Sequence, residues 1–139
     1  MAKKNWEGGM RVLLAEDNVD NREMLTRRLE KKGFVVVCAV DGKEATERAV
    51  DSAPDLILMD VSMPILSGIE ATLWIRANAP DKDVPIIALT AHAMEGDRQK
   101  CLDAGCNDFA TKPVDFKLLM ILIDKYCRPA AAQPVAASA

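Results

Sequence analysis

The sequence predicts an α/β domain of the doubly wound kind, a five-stranded parallel sheet sandwiched between helices. Three observations carry this. Five short apolar or β-branched runs alternate with five helix-like stretches. The third and fourth runs, "LILM" at 56–59 and "IIAL" at 86–89, are apolar at every position, as strands covered on both faces are. A helix follows every strand, so consecutive strands are joined by crossovers and lie parallel.

The first strand is "RVLLA" (11–15); Glu16-Asp17 follow it, and a helix over 21–32 ends at Gly33. The second strand, "VVVCA" (35–39), turns through Val40-Asp41-Gly42 into a helix over 42–52, with Pro54 beyond. The third strand runs straight into Asp60, and its helix spans 67–77. There Ile69, Thr72 and Arg76 make the inward stripe, with Trp74 opposite as a surface residue. The fourth strand ends at Thr90, before a helix over 95–104 and Gly105. The fifth, "DFAT" (108–111), ends at Lys112-Pro113, before a helix over 115–127. That last helix is apolar all round at "LLMILI" (118–123). Leu119, Leu122, Ile123 and Tyr126 form its inward stripe, which leaves Ile121 and Met120 outward as a partner or dimer surface.

The 139 residues suit one core. Residues 1–9 read as a flexible arm, 10–128 as the domain, and 129–139 as a disordered Pro/Ala-rich tail with nothing to bury. A net charge of −3 with scattered Lys and Arg argues against direct nucleic-acid binding. The four cysteines, at 38, 101, 106 and 127, have neither zinc-site spacing nor a histidine set, so they read as reduced. No stretch has the length of a signal peptide or membrane span, which points to the cytoplasm.

In such sheets ligands bind beyond the C-terminal strand ends. A carboxylate ending a buried strand is costly unless something compensates it. If the strand order is 2-1-3-4-5, Glu16, Asp17 and Asp60 converge there, flanked by Thr90 and Lys112. Close carboxylates repel and call for a cation, and an all-oxygen set suits Mg²⁺. Asp60 is then placed as a nucleophile toward a phosphoryl group, with Lys112 to neutralise it and Thr90 to hydrogen-bond it.

The segments "LLAEDN" (13–18), "PDLILMDVSMPILSGIEA" (54–71), "PIIALTAHA" (85–93) and "GCNDFATKPV" (105–114) resemble the receiver domain of two-component response regulators, in order and over nearly all of 10–127. That resemblance implies the flavodoxin-like fold with sheet order 2-1-3-4-5. It implies Asp60 as phosphoacceptor from a histidine kinase or histidine phosphotransfer protein. It also implies a Mg²⁺ site made by Glu16, Asp17, Asp60 and the Ser62 backbone carbonyl, and phosphate binding by Thr90, Ala91 and Lys112. Thr90 and Phe109 match the switch pair, although many relatives carry Tyr at the second position. Ser62 and His92 match positions that tune phosphoryl lifetime, and the Lys112-Pro113 bond matches one that is cis in the family. The face of helix four, strand five and helix five would carry the signal to a downstream protein or to a second copy.

Simpler readings exist for each residue. Glu16-Asp17, with Asp20, could cap the first helix, Thr90 and Lys112 could be ordinary surface residues, and His92 a loop residue rather than a base. An aspartyl-phosphate phosphatase or phosphomutase would carry a second Asp two residues past the nucleophile, where Ser62 stands, and a cap domain. A phosphate-independent docking module would commonly have lost the acids, the acceptor or the lysine.

Overall fold

The computed structural model describes residues 9–91 and 95–127. Their elements are β1 (Arg11–Ala15), α1 (Val19–Lys31), β2 (Val35–Ala39), α2 (Gly42–Asp51), β3 (Leu56–Asp60), α3 (Gly68–Asn78), β4 (Ile86–Thr90), α4 (Glu95–Ala104), β5 (Asp108–Thr111) and α5 (Phe116–Cys127). All strand pairs are parallel, in the order β2-β1-β3-β4-β5. Residues 1–8 of the expected arm and all of the expected tail, 129–139, lie outside the described residues, as does His92.

Strand alternation builds two cores. Val12, Leu14, Leu56, Leu58, Ile87 and Leu89 meet Leu25 and Leu29 of α1 and Leu119 and Ile123 of α5. Leu13, Ala15, Ile57, Met59, Ile86 and Ala88 meet small residues of the other layer, among them Ala45 and Ala49 of α2, Ala71 of α3 and Cys101 of α4. The central strands β3 and β4 are buried at every position.

Local chemistry sets the boundaries. Helix α1 starts at Val19, ahead of the expected position, because Asn18 is its N-cap and accepts a hydrogen bond from Asn21 N–H at 2.9 Å. The acidic pair and Asp20 are therefore not its caps. Asp41 caps α2, and Ser67 with Glu70 forms a reciprocal capping box on α3. The buried face of α3 is Ala71, Thr72 and Ile75. Ile69 and Arg76, expected within that stripe, flank it half-buried, and Trp74 is exposed as expected. Arg76 serves a different purpose: it donates to the carbonyls of Gly105, Lys82 and Val84 and to Asn107 Oδ1. Asn107 Oδ1 also accepts from Ile86 N–H. One guanidinium thus ties α3 to the starts of β4 and β5. On α5, Leu119 and Ile123 are buried, with Leu122, Tyr126 and also Met120 packed partly against them. Leu118 joins Ile121 outside.

Geometry requires glycine at several positions, Gly105 and Gly68 among them. Gly105 ends α4 at φ +115°, where the following Cys106 N–H bonds back to Cys101 O at 3.0 Å. Gly68 opens α3 against the end of β3: a Cβ there would lie 2.2 Å from the Asp60 carbonyl oxygen. Gly68→Ala should therefore destabilise the fold by about 1–3 kcal/mol or more, since neither colliding group is a pliable side-chain end. A Cβ on Gly96 meets nothing within 4 Å. Gly96→Ala should accordingly leave the stability measured by urea titration unchanged or raise it by up to about 1 kcal/mol. Equal midpoints for the two variants would contradict the close approach.

Candidate functional site

Parallel register creates the site. Ala15 pairs with Met59 across β1 and β3, so the next residues, Glu16 and Asp60, stand at adjacent strand ends. Asp60 pairs with Leu89 of β4, and Thr90 with Thr111 of β5, so Lys112 leaves the sheet beside them. Glu16 and Asp60 are buried and Asp17 is exposed. One carboxylate oxygen from each lies within 4.8 Å of the other two. Lys112 Nζ is 2.9 Å from Glu16 Oε1 and 2.9 Å from Asp60 Oδ2.

The remaining valences are filled from the backbone. Ser62 N–H donates to Asp60 Oδ1 at 3.1 Å, and Asn18 N–H to Glu16 Oε2 at 3.1 Å. Arg22 of α1 donates to the Glu16 carbonyl at 2.9 Å and the Asp17 carbonyl at 3.3 Å, holding the acidic pair from behind. Lys112 N–H donates to the Thr90 carbonyl at 2.8 Å, and the Lys112-Pro113 peptide is cis. Glu16 Oε1 is buried and, beyond its ion pair with Lys112, has no aligned hydrogen bond.

These surroundings perturb both ends of the ion pair. Burial raises the Asp60 carboxyl from 3.8 to about 6; the Lys112 hydrogen bond opposes the rise, and the Glu16 charge adds to it. Burial works against the Lys112 ammonium, but its hydrogen bonds to Glu16 and Asp60 outweigh that and raise its pKa. Three carboxylates against one ammonium leave an excess of negative charge. An all-oxygen donor set with one ammonium for three carboxylates fits a hard divalent cation such as Mg²⁺.

Of the residues expected at the site, the structure brings Glu16, Asp17, Asp60 and Lys112 together. Thr90 is buried at the end of the neighbouring strand, with Ala91 exposed beside it. Ser62 meets Asp60 through its backbone. Phe109, on β5, is half-buried against the α2–α3–α4 side of the core, with the Arg98 guanidinium stacked over its ring. Sequence reasoning missed Arg22 and the donor role of Asn18. The cap residue type of Asn18 was a usable signal, but nothing in the spacing marks Arg22.

This fold is shared with known proteins. Residues 12–124 match the model of the response regulator receiver domain. The chain belongs to that family. It is 46% identical over 121 residues to hybrid signal transduction histidine kinase I of Dictyostelium discoideum, covering 82% of this chain but only 7% of that protein. The receiver domain of the sensor histidine kinase PA1611 from Pseudomonas aeruginosa PAO1, solved with magnesium coordinated in its active-site cleft, superimposes at a TM-score of 0.80. It is 40% identical, over 86% of this chain and 98% of that one. The receiver domain of Saccharomyces cerevisiae Ssk1, solved with the histidine phosphotransfer protein Ypd1, superimposes at 0.79. It is 36% identical, over 86% of this chain and 90% of that one. The chain is thus a receiver of two-component and phosphorelay signalling. Among its described residues, no helix is long and apolar enough to cross a membrane.

The raised Asp60 pKa has a sign. Between about 3.8 and 6 the folded receiver holds a proton that the unfolded chain has released, so stability contributed here falls as pH rises through that window and stays lost above it. In chelator at pH 7.5, Asp60→Asn should be more stable than wild type by about 1–3 kcal/mol. That gap should close near pH 4. Paired urea titrations across pH check it, and a gap that widens on acidification would contradict it.

Proposed function

We propose that this receiver is a phosphorylation-dependent switch whose phosphoacceptor is Asp60. The observation that carries the reading is the Lys112 ammonium 2.9 Å from both Asp60 and Glu16, with the Asp17 carboxylate beside them. A lone buried aspartate would need only one counter-charge. Three acids and a lysine at one strand-end rim form a place for a cation and a transferring phosphoryl group.

Asp60 attacks the phosphorus of a phosphohistidine on a histidine kinase or histidine phosphotransfer protein. The new bond runs from a carboxylate oxygen to phosphorus, the phosphorus–nitrogen bond breaks, and the imidazole leaves. Glu16, Asp17, Asp60 and the Ser62 backbone carbonyl would hold Mg²⁺, a reading the convergence of the three acids supports. When bound, Mg²⁺ supplies positive charge against the phosphoryl oxygens and keeps Asp60 ionised despite its burial. Lys112 neutralises one of those oxygens, the Thr90 hydroxyl binds another, and the Ala91 backbone completes the cradle. Thr90 moves toward the phosphoryl group and Phe109 follows inward, which changes the surface of α4, β5 and α5. A downstream protein, or a second copy of the chain, reads that surface in the cytoplasm. The domain promotes its own phosphorylation and dephosphorylation and turns over no separate substrate.

Intact-mass measurement with a small phosphodonor tests this. A single phosphoryl adduct should form with Mg²⁺, disappear with chelator, and be absent from Asp60→Asn. Lys112→Ala should slow adduct formation by about 10²-fold, the loss typical of one preorganised charge-stabilising donor. No adduct on the wild-type protein under any condition would leave a docking module as the better reading.

A further inference from the structure

We infer that Arg98 is a positioning residue that holds the Phe109 ring in its half-exposed place and so restrains the switch. This rests on the switch reading above and goes further, because it assigns the restraint to one side chain.

Arg98 lies on the exposed face of α4, and its guanidinium carbon is 4.6 Å from the centroid of the Phe109 ring on β5. It is the tightest such stack among the described residues; Lys125 over Tyr126 is at 5.1 Å and Arg28 over Phe116 at 5.6 Å. Neither of those involves a residue of the site. The identity of the ring makes the stack matter. A tyrosine in this place has a hydroxyl that favours the wet side. Phe109 has none, so the hydrophobic effect alone draws the ring inward, where it already packs against the core. The guanidinium supplies the outward pull that the missing hydroxyl would have given, by attraction to the ring face and by covering it from water.

A contact made in one conformation and lost on the way to another lowers the energy of the first alone. If Phe109 travels toward Thr90, it leaves the Arg98 stack unless α4 moves with it. Arg98 therefore both favours the outward ring and links any inward movement of the ring to α4, the first element of the proposed signalling face. The size of the effect is modest because the stack is at the surface, about two- to fivefold in population.

The test uses the whole chain with Arg98→Ala and with Arg98→Met, which keeps an apolar stem but drops the charge. Arg98 is exposed and both replacements are good helix formers, so the fold should tolerate them. The first readout is the affinity for beryllium trifluoride, a phosphoryl mimic, in the presence of Mg²⁺. The second is the fluorine resonance of Phe109 in protein labelled with fluorophenylalanine. The chain has three phenylalanines, and Phe109→Leu assigns the signal. Both variants should bind the mimic about two- to fivefold tighter. Without the mimic, their Phe109 signal should already be displaced toward its bound position, a change that a merely structural arginine would not produce. Unchanged or weaker binding and an undisplaced signal, while the wild-type signal moves on binding, would overturn the role of Arg98 and leave the switch standing. A wild-type Phe109 signal that stays still at saturation would overturn the switch reading, and Arg98 with it.

Discussion

Two carboxylates buried at the ends of neighbouring strands are the constraint on which this structure turns. Glu16 and Asp60 are almost wholly removed from water, and an isolated buried charge is among the costliest features a fold can carry. The Lys112 ammonium between them offsets that cost only in part, since two negative groups share one positive partner. Burial and the neighbouring Glu16 charge accordingly push the Asp60 carboxyl up to about 6. A site built for stability alone would carry apolar residues here. In the proposed role that cost has a use, since it leaves a carboxylate that would gain by acquiring a cation or a phosphoryl group.

The rest of the fold keeps that arrangement in place. Parallel register sets Glu16 beside Asp60 and carries Lys112 past Thr90. The approach of Gly68 to the Asp60 carbonyl lets α3 begin directly over the end of β3. Arg22 fixes the backbone of the acidic pair, and Asn18 rather than either acid caps α1. On the far side of the sheet, Arg76 and Asn107 join the starts of β4 and β5. Those two strands carry Thr90 and Phe109, so their relative position bears on any coupling between the two residues.

The fold was legible because strands buried on both faces announce themselves as unbroken apolar runs and because Gly33, Asp41 and Gly105 punctuate them. The site was legible because a charge ending such a run demands an explanation. What escaped was long-range and polar. Arg76 reads as a residue of the buried stripe of α3, yet its partners lie up to 31 residues away. Arg22 contacts backbone oxygens, which have no sequence signature. The stripes of α3 and α5 differ in detail from the expected ones: Ile75 takes the place given to Arg76, and Met120, expected outward, packs partly against the core.

Charge accounting explains why one modification at this rim can be felt at a distance. The three carboxylates and Lys112 carry two net negative charges. With Mg²⁺ bound as proposed, the rim is neutral, and little favours any rearrangement around it. Phosphorylation of Asp60, as proposed, would then replace a single negative charge with about two, on oxygens that extend beyond the carboxylate. The excess is small, but it appears in a water-poor place where hydrogen-bond donors are few and therefore valuable. Thr90 is the buried hydroxyl-bearing residue at the next strand end, and Phe109 pairs in the sheet two residues before it, opposite Ala88. In the proposed switch, a shift of the Thr90 hydroxyl would open space on the side of the sheet where Phe109 packs, and an apolar ring would fill it. Electrostatics would thus start the change and packing would complete it, with the outer surface of α4 and β5 altered as the consequence.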